Sequence, residues 1–168
     1  MSATGLGVAW STLAAERPDL AEAGRALLYQ FGVGLAFLGT IRKDGGPRVH
    51  PVCPLIAADA IYMLVTPSYK RQDLHRDPRY ALHSYPCPTN EDAFYLGGEA
   101  KLVHEVDVLH TVRAQFLAER GWSETPPPNW ADQQVFELSI ERCLHTTTTG
   151  HGDFQPVDTV WRPGGGGG

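Results

Sequence analysis

The chain contains few cysteines and lacks a long hydrophobic run. Its three cysteines, Cys53, Cys87 and Cys143, are odd in number and far apart among 168 residues. This pattern argues against a disulfide framework and a zinc ribbon, and it fits a reducing cytoplasm. The longest apolar run, residues 31–41, is too short and too rich in glycine to cross a bilayer. No basic segment precedes an apolar one near the start, so no signal peptide is expected. We therefore expect a cytoplasmic protein that does not enter a membrane.

Basic charge is also scarce in this sequence. Fourteen Lys and Arg residues stand against 19 Asp and Glu residues, which gives a formal net charge of −5. The basic residues form no continuous stripe, so binding to nucleic acid is not expected. The length is sufficient for one domain with a sizeable hydrophobic core.

The residue pattern predicts a mainly β fold (α+β). Six runs of strand-type residues lie at 35–42, 48–57, 61–66, 79–85, 92–105 and 135–144. Helices are predicted over 11–17 continuing into 18–29, over 69–76, and over 106–120. Hairpin signals dominate, and a sheet of six antiparallel strands tends to close into a barrel and so hide its edges. We predict a six-stranded barrel with two to three flanking helices.

The same pattern predicts how the chain is divided and where strands are irregular. Residues 1–30 form a helical segment, 31–145 the barrel, and 146–168 a coil tail without periodicity. Pro51 and Pro54 predict an edge strand or a bulge, because proline donates no hydrogen bond to a sheet. The Gly97-Gly98 pair predicts a bulge or a close backbone approach.

One stretch combines features of an anion site. An apolar strand, residues 61–65, runs through Pro67 and Ser68 into a short helix. Ser68 is a favourable N-cap, and the start of a helix presents free backbone N–H groups that suit an anion. Lys70 and Arg71 follow at once, so a phosphate could use a hydroxyl, backbone N–H groups and two cations. The alternative is an ordinary capped helix with solvated Lys and Arg side chains.

Three segments together resemble one protein family. They are residues 39–52 (GTIRKDGGPRVHPV), 68–82 (SYKRQDLHRDPRYAL) and 96–103 (LGGEAKLV). In order and spacing they are similar to the flavin-binding split β-barrel family, which includes pyridoxamine 5′-phosphate oxidase and its deazaflavin-using relatives. The resemblance extends over roughly residues 20–145 and is more specific for the fold than for the chemistry.

The resemblance implies a homodimer with two cofactor sites at the subunit interface. The implied cofactor is FMN, with FAD, the deazaflavin coenzyme or haem as alternatives. Ser68 and Lys70 would hold the cofactor phosphate, with Arg71 beside them. The second-strand residues that would lie along the ribityl chain and the ring are His50, Pro51 and Val52.

Two positions depart from the family's vitamin-forming oxidases. Those enzymes have Arg where this chain has His50, and Lys where it has Leu55. Both residues normally support the flavin, so true pyridoxamine-phosphate oxidase activity is not expected. The general-stress and deazaflavin branches of the family tolerate such changes, and the chain resembles them more closely.

The sequence identifies no catalytic residue. It has no nucleophile-elbow motif, and hydride transfer by a flavin needs no protein nucleophile. His50 and Tyr95 are candidates for ring contacts or proton delivery, although His50 could equally be a hairpin histidine bonded to a carbonyl. Trp161 could contact a ring ligand or a neighbouring subunit, or simply anchor the tail.

The seven histidines show no metal-binding spacing. His145, His151 and Asp153 could approach one another, but no metal site is expected. Two functions remain open. One is a flavoprotein oxidoreductase that transfers hydride between its cofactor and a small substrate. The other is a non-enzymatic carrier or sensor of a flavin, a deazaflavin or haem on the same barrel.

Overall fold

The computed structural model describes residues 7–165. Within that range the α-helices are α1 (Trp10–Glu16), α2 (Pro18–Leu28), α3 (Tyr69–Arg76) and α4 (Val106–Glu119), and a 3-10 turn covers Trp130–Asp132. The strands are β1 (Ala36–Ile41), β2 (Pro47–Val52), β3 (Pro54–Ala57), β4 (Ala60–Val65), β5 (Arg79–Ser84), β6 (Ala93–Leu102), β7 (Gln134–Leu138), β8 (Arg142–Thr147) and β9 (Val157–Trp161). The mainly β class is confirmed, but the counts are nine strands and four helices rather than six and two to three.

The strands form one antiparallel sheet that curls. Hydrogen-bonded neighbours follow the order β2-β1-β5-β6-β7-β4-β3, while β8 pairs with β6 and β9 with β8. The two ends of this path, β2 and β3, are separated in the chain by Cys53 alone, so the ends of the curl lie together. Pro51 and Pro54 lie in these two end strands, which confirms the edge prediction.

The three additional strands have separate physical causes. The predicted strand 48–57 breaks at Cys53, because β2 pairs with β1 whereas β3 pairs with β4. The predicted strand 135–144 breaks after Leu138, because β7 pairs with the second half of β6 and β8 with the first half. The prediction of coil from residue 146 is wrong for β9, whose mixed polar and apolar residues show no two-residue period.

Gly98 lies where β6 changes partners. A Cβ on Gly98 would lie 2.0 Å from the carbonyl oxygen of Ser139. Two backbone hydrogen bonds flank this position: Ser139 N donates to the Glu99 carbonyl (2.9 Å), and Glu141 N donates to the Gly97 carbonyl (2.8 Å). The predicted close backbone approach is therefore confirmed at this position.

The first hairpin turn forms at Asp44-Gly45, a residue pair that favours tight hairpin turns. Gly45 has φ +82°, which suits glycine, and its N–H donates to the carbonyl of Arg42 at 2.9 Å. The Asp44 carboxylate accepts from the N–H of Gly46 at 3.0 Å. This turn sets the register in which His50 lies opposite Leu38.

The core lies between the N-terminal helices and the inner face of the curl. Helix α2 packs on β6 through Gly24, where an added Cβ would lie 2.3 Å from the Phe94 ring. Trp10 of α1 meets the same ring edge-on, with centroids 6.3 Å apart. A second cluster packs α4 against β3 and β4 through Val112, Phe116 and their neighbours. No helix within residues 7–165 is long and apolar enough to cross a membrane.

Candidate functional site

The start of α3 is a capped helix N-terminus with backbone N–H groups that have no acceptor within the helix. Ser68 Oγ accepts from Arg71 N at 3.4 Å and donates to the Thr66 carbonyl at 2.9 Å. The first backbone N–H groups of a helix have no acceptor within the helix, and here they belong to Tyr69 and Lys70. The predicted N-cap is confirmed, and the backbone N–H groups beside it suit an anion.

The buried side of this helix carries a carboxylate. Asp73 is only 3% exposed, and it accepts from Thr40 Oγ1 (3.0 Å), Arg48 Nε (2.6 Å) and Arg76 Nη2 (2.8 Å). Burial raises the pKa of Asp73, but the hydrogen bonds from Arg76, Arg48 and Thr40 outweigh it and leave the pKa below its usual range. Asp73 is therefore a fixed negative charge that holds two arginines.

A cleft opens beside this carboxylate. Its volume is about 600 Å³, and its lining residues are Arg42, Lys43, Asp44, Arg48, Tyr69, Gln72, Asp73 and Arg76. The Arg48 guanidinium lies 5.2 Å from the centre of the Tyr69 ring, and Tyr69 is the first residue of α3. The cleft therefore extends from the turn of the β1–β2 hairpin to the start of α3.

His50 lies close to the same group of charges. It follows Arg48 by two positions on β2, so both side chains point to one face of the strand. Burial, and then the positive charges of Lys70 and Arg48, lower the pKa of His50. The imidazole is therefore neutral at neutral pH, and the structure brings His50, Lys70 and Arg48 together near the start of α3.

Arg71 serves a different contact. Its Nη1 donates to the carbonyl of Asp132 at 2.8 Å, which fastens α3 to the 3-10 turn. Arg71 thus flanks the helix start with part of its guanidinium already engaged.

Pro51 and Tyr95 lie on the other face of the sheet. The cross-strand row that contains them reads Pro51, Phe37, His83, Tyr95, Leu144 and Val160. Directly opposite residues share a face, and this row alternates with the buried row of Leu38, Leu82 and Leu96. We call the face of the row containing Pro51 and Tyr95 the outer face. It is separate from the cluster at α3.

Similarity to known proteins is confined to structure. No family model and no curated protein matches the chain. Several solved structures do: an F420 reductase (18% identity, TM-score 0.55, 71% of this chain and 94% of that one); a putative pyridoxamine 5′-phosphate oxidase from Listeria innocua (16%, 0.56, 70% and 90%); and the haem storage protein HutZ from Vibrio cholerae (16%, 0.55, 74% and 89%). The chain has the split β-barrel fold. At these identities the likeness shows the fold and no activity.

Val52 and Trp161 belong to the core of the split barrel. Val52 is 8% exposed, and Trp161 is 5% exposed on β9, opposite Cys143. The indole N–H of Trp161 donates to Glu16 Oε2 at 3.1 Å, which ties the last strand to α1. A contact between this ring and a ligand would require β9 to leave the sheet, so we omit both residues from the site proposed below.

The histidine and acidic residues near the β8–β9 loop take separate partners. His145 lies opposite Thr159, His151 Nδ1 lies 4.0 Å from Glu91, and Asp153 accepts from Thr149. Across residues 7–165 of the split barrel, no group of three or more His, Cys, Asp or Glu side chains is placed to hold a metal ion.

Sequence reasoning missed Arg48 and Asp73. Arg48 was part of a hairpin motif and Asp73 part of a polar helix, and Thr40 lies 33 positions from Asp73. No local signal marked Asp73, because its burial depends on Arg48 and Thr40, which lie 25 and 33 positions away.

Proposed function

We propose that the chain binds FMN or the deazaflavin coenzyme with the cofactor phosphate at the start of α3. The observation that supports this most is the Ser68 cap, with the backbone N–H groups and the Lys70 ammonium beside it, at the start of a helix on a split barrel. Because the outer face is separate from the start of α3, Pro51 and Tyr95 would contact the cofactor that a second copy of the chain holds at its own α3. Arg71 would flank the phosphate.

The donor set fits a phosphate group. A phosphate offers only acceptor oxygens at neutral pH, and this helix start offers backbone N–H groups and an ammonium. The Ser68 hydroxyl donates to the Thr66 carbonyl and would have to turn from it to join them. The nearby carboxylate of Asp73 is already saturated by three donors, so it does not repel an incoming anion as a free carboxylate would. FAD and haem also carry anionic groups and remain alternatives.

The proposed activity is an oxidoreductase reaction on a small substrate. When bound, the flavin or deazaflavin ring supplies hydride transfer. The chain's own residues would fix the phosphate, orient the ring and keep water from it. His50, being neutral, has one ring nitrogen that donates and one that accepts a proton. Free thiols at Cys53, Cys87 and Cys143 support a cytoplasmic location as part of this proposal.

A second copy of the chain is proposed to cover the outer face. This face exposes Val49 (65%) and Val160 (48%), and it carries Phe37 stacked on Tyr85 with centroids 4.4 Å apart. An extended apolar sheet surface of this kind marks an interaction site. A homodimer would bury it.

Replacing one exposed valine on the outer face should dissociate the dimer. We expect Val49→Glu to weaken self-association by at least about tenfold, because it places a charge in an apolar interface. The matched control is Val106→Glu, at the start of α4, where the valine is 77% exposed. Sedimentation across a concentration series measures both. Equal association of wild type and Val49→Glu would contradict the proposal.

The alternative is a carrier or sensor without turnover. It is favoured by the likeness to the haem storage protein HutZ, whose split barrel spans most of this chain. Oxidation of the reduced cofactor by any added acceptor, measured under steady-state conditions, separates the two functions. A bound cofactor that no acceptor oxidises would support the carrier.

The decisive experiment is an absorbance spectrum of the purified protein, followed by titrations with FMN, the deazaflavin coenzyme and haem. Tight binding of FMN or the deazaflavin coenzyme supports the proposal and selects the cofactor. Binding of haem alone would replace it with the alternative.

Lys70 is expected to contribute directly to cofactor binding. We expect Lys70→Ala to lower the affinity about 10- to 100-fold, which corresponds to about 1.5–3 kcal/mol for a charge-assisted hydrogen bond. Lys101→Ala, an exposed lysine on β6, is the control and should bind like wild type. Calorimetry measures both, and an unchanged affinity in Lys70→Ala would move the phosphate elsewhere.

A further inference from the structure

Asp73 holds two arginines, each through one guanidinium nitrogen, and only Arg48 keeps both of its Nη groups without an acceptor within residues 7–165. Arg76 Nη2 donates both to Asp73 Oδ1 and to the Ile41 carbonyl (2.5 Å), so it is fastened to the β1 backbone. Arg48 donates to Asp73 through Nε alone, and within residues 7–165 its two Nη groups have no acceptor. Arg48 therefore retains Nη1 and Nη2, which together could form a bidentate contact with an anion.

The position of Arg48 links it to the start of α3. Its guanidinium lies 5.2 Å from the centre of the Tyr69 ring, and its side chain is 24% exposed in the cleft. The field of Arg48 also acts on His50 together with that of Lys70. The charge balance of the cleft is positive: Arg42, Lys43, Arg48 and Arg76 line it together with the carboxylates of Asp44 and Asp73.

We propose that Arg48 binds the anionic group of the ligand at the start of α3, and that Asp73 and Thr40 are the residues that position it. This inference rests on the proposed function for the identity of the ligand but not for the anion chemistry. The ligand class is a phosphate ester. Arg48 would then add a second cation to the one that Lys70 provides at this site.

The buried carboxylate explains how Arg48 is held ready. A free arginine side chain loses considerable rotamer entropy when it binds. Here Nε is fixed at 2.6 Å from Asp73 Oδ2, and Thr40 Oγ1 donates to the same oxygen at 3.0 Å. The cost of ordering Arg48 is therefore met on folding rather than on binding.

The test compares FMN with riboflavin, which lacks the phosphate. We expect Arg48→Gln to weaken FMN binding about 10- to 100-fold while riboflavin affinity changes less than about twofold. The control is Arg79→Gln, whose arginine pairs with Asp77 at 2.6 Å on the exposed surface. A folded Arg48→Gln protein with wild-type FMN affinity, or with equal losses for both ligands, would overturn the assignment.

The positioning role has its own readout. Asp73→Asn keeps the shape but loses the charge, and we expect it to reduce the ratio of FMN to riboflavin affinity about 3- to 10-fold. A purely structural role would lower both affinities alike and leave the ratio unchanged. If Asp73→Asn does not fold, Thr40→Val removes only one donor to Asp73 and should shift the ratio in the same direction, and an unchanged ratio there would reject the role.

Failure of the flavin proposal can be told apart from failure of this inference. If wild type binds neither FMN nor riboflavin, inorganic phosphate and pyrophosphate are titrated by calorimetry. If wild type and Arg79→Gln bind one of these anions and Arg48→Gln does not, the anion site is supported and the flavin proposal is rejected. Absence of binding, or binding that Arg48→Gln does not weaken, overturns the inference.

Discussion

Gly98→Ala is expected to destabilise the chain by roughly 3 kcal/mol or more. The new methyl group would lie 2.0 Å from the Ser139 carbonyl oxygen, a backbone atom that cannot rotate away. The segment between β7 and β8, residues 139–141, must then move away from β6. That movement would stretch the bonds from Ser139 N to Glu99 O and from Glu141 N to Gly97 O. Urea unfolding followed by tryptophan fluorescence measures the loss.

The adjacent glycine supplies the matched control. A Cβ on Gly97 would meet the Tyr95 hydroxyl oxygen at 2.6 Å, the far end of a side chain that can rotate. We expect Gly97→Ala to cost about 1 kcal/mol or less, because alanine also restricts the unfolded chain. Both variants should be compared at one protein concentration, because association adds to apparent stability. Equal effects at Gly97 and Gly98 would contradict the close approach.

Asp73→Ala is expected to cost about 3 kcal/mol of folding free energy. The substitution removes three charge-assisted hydrogen bonds and leaves the buried Thr40 hydroxyl without its acceptor. Arg48 and Arg76 can turn to water, since their side chains are 24% and 38% exposed, so the loss stays below that of a wholly buried pair. Asp19→Ala, which removes an exposed partner of Arg17, should cost less than about 1 kcal/mol.

The Asp73 contribution should disappear in acid. The folded state lowers the pKa of Asp73, so its stabilisation is complete above the unfolded pKa of about 3.9. It is lost as the pH falls through the folded pKa, which lies lower still. The free-energy difference between wild type and Asp73→Ala should therefore be constant near neutral pH and shrink below about pH 4. A difference that grows in acid would contradict the charge assignment.

Local features were predictable from the sequence, and distant pairings were not. The Ser68 cap is confirmed, and it depends, like the Asp44-Gly45 turn, only on residues within three positions of it. The helix over residues 18–29 was correctly predicted, since its apolar spacing has a helical period. These features depend on chemistry that neighbouring residues fix by themselves.

The missed features all depend on partners that are remote in the chain. The break at Cys53 arises because two halves of one apparent strand pair with different neighbours. The fit of Trp161 into the core depends on Glu16, 145 positions away. The contact of Arg48 with Asp73 spans 25 positions and joins a strand to a helix. No short-range pattern contains such information.

The position of β7 in the sheet has a consequence for synthesis of the chain. Strand β7 lies between β6 and β4. Residues 134–138 therefore join the strands β2, β1, β5 and β6 to the strands β4 and β3 in the order of hydrogen-bonded neighbours. A nascent chain that ends before residue 138 therefore presents unpaired edges on β4 and on the second half of β6. Unpaired strand edges are templates for aggregation, and this chain must leave them open until residues 134–138 have been made.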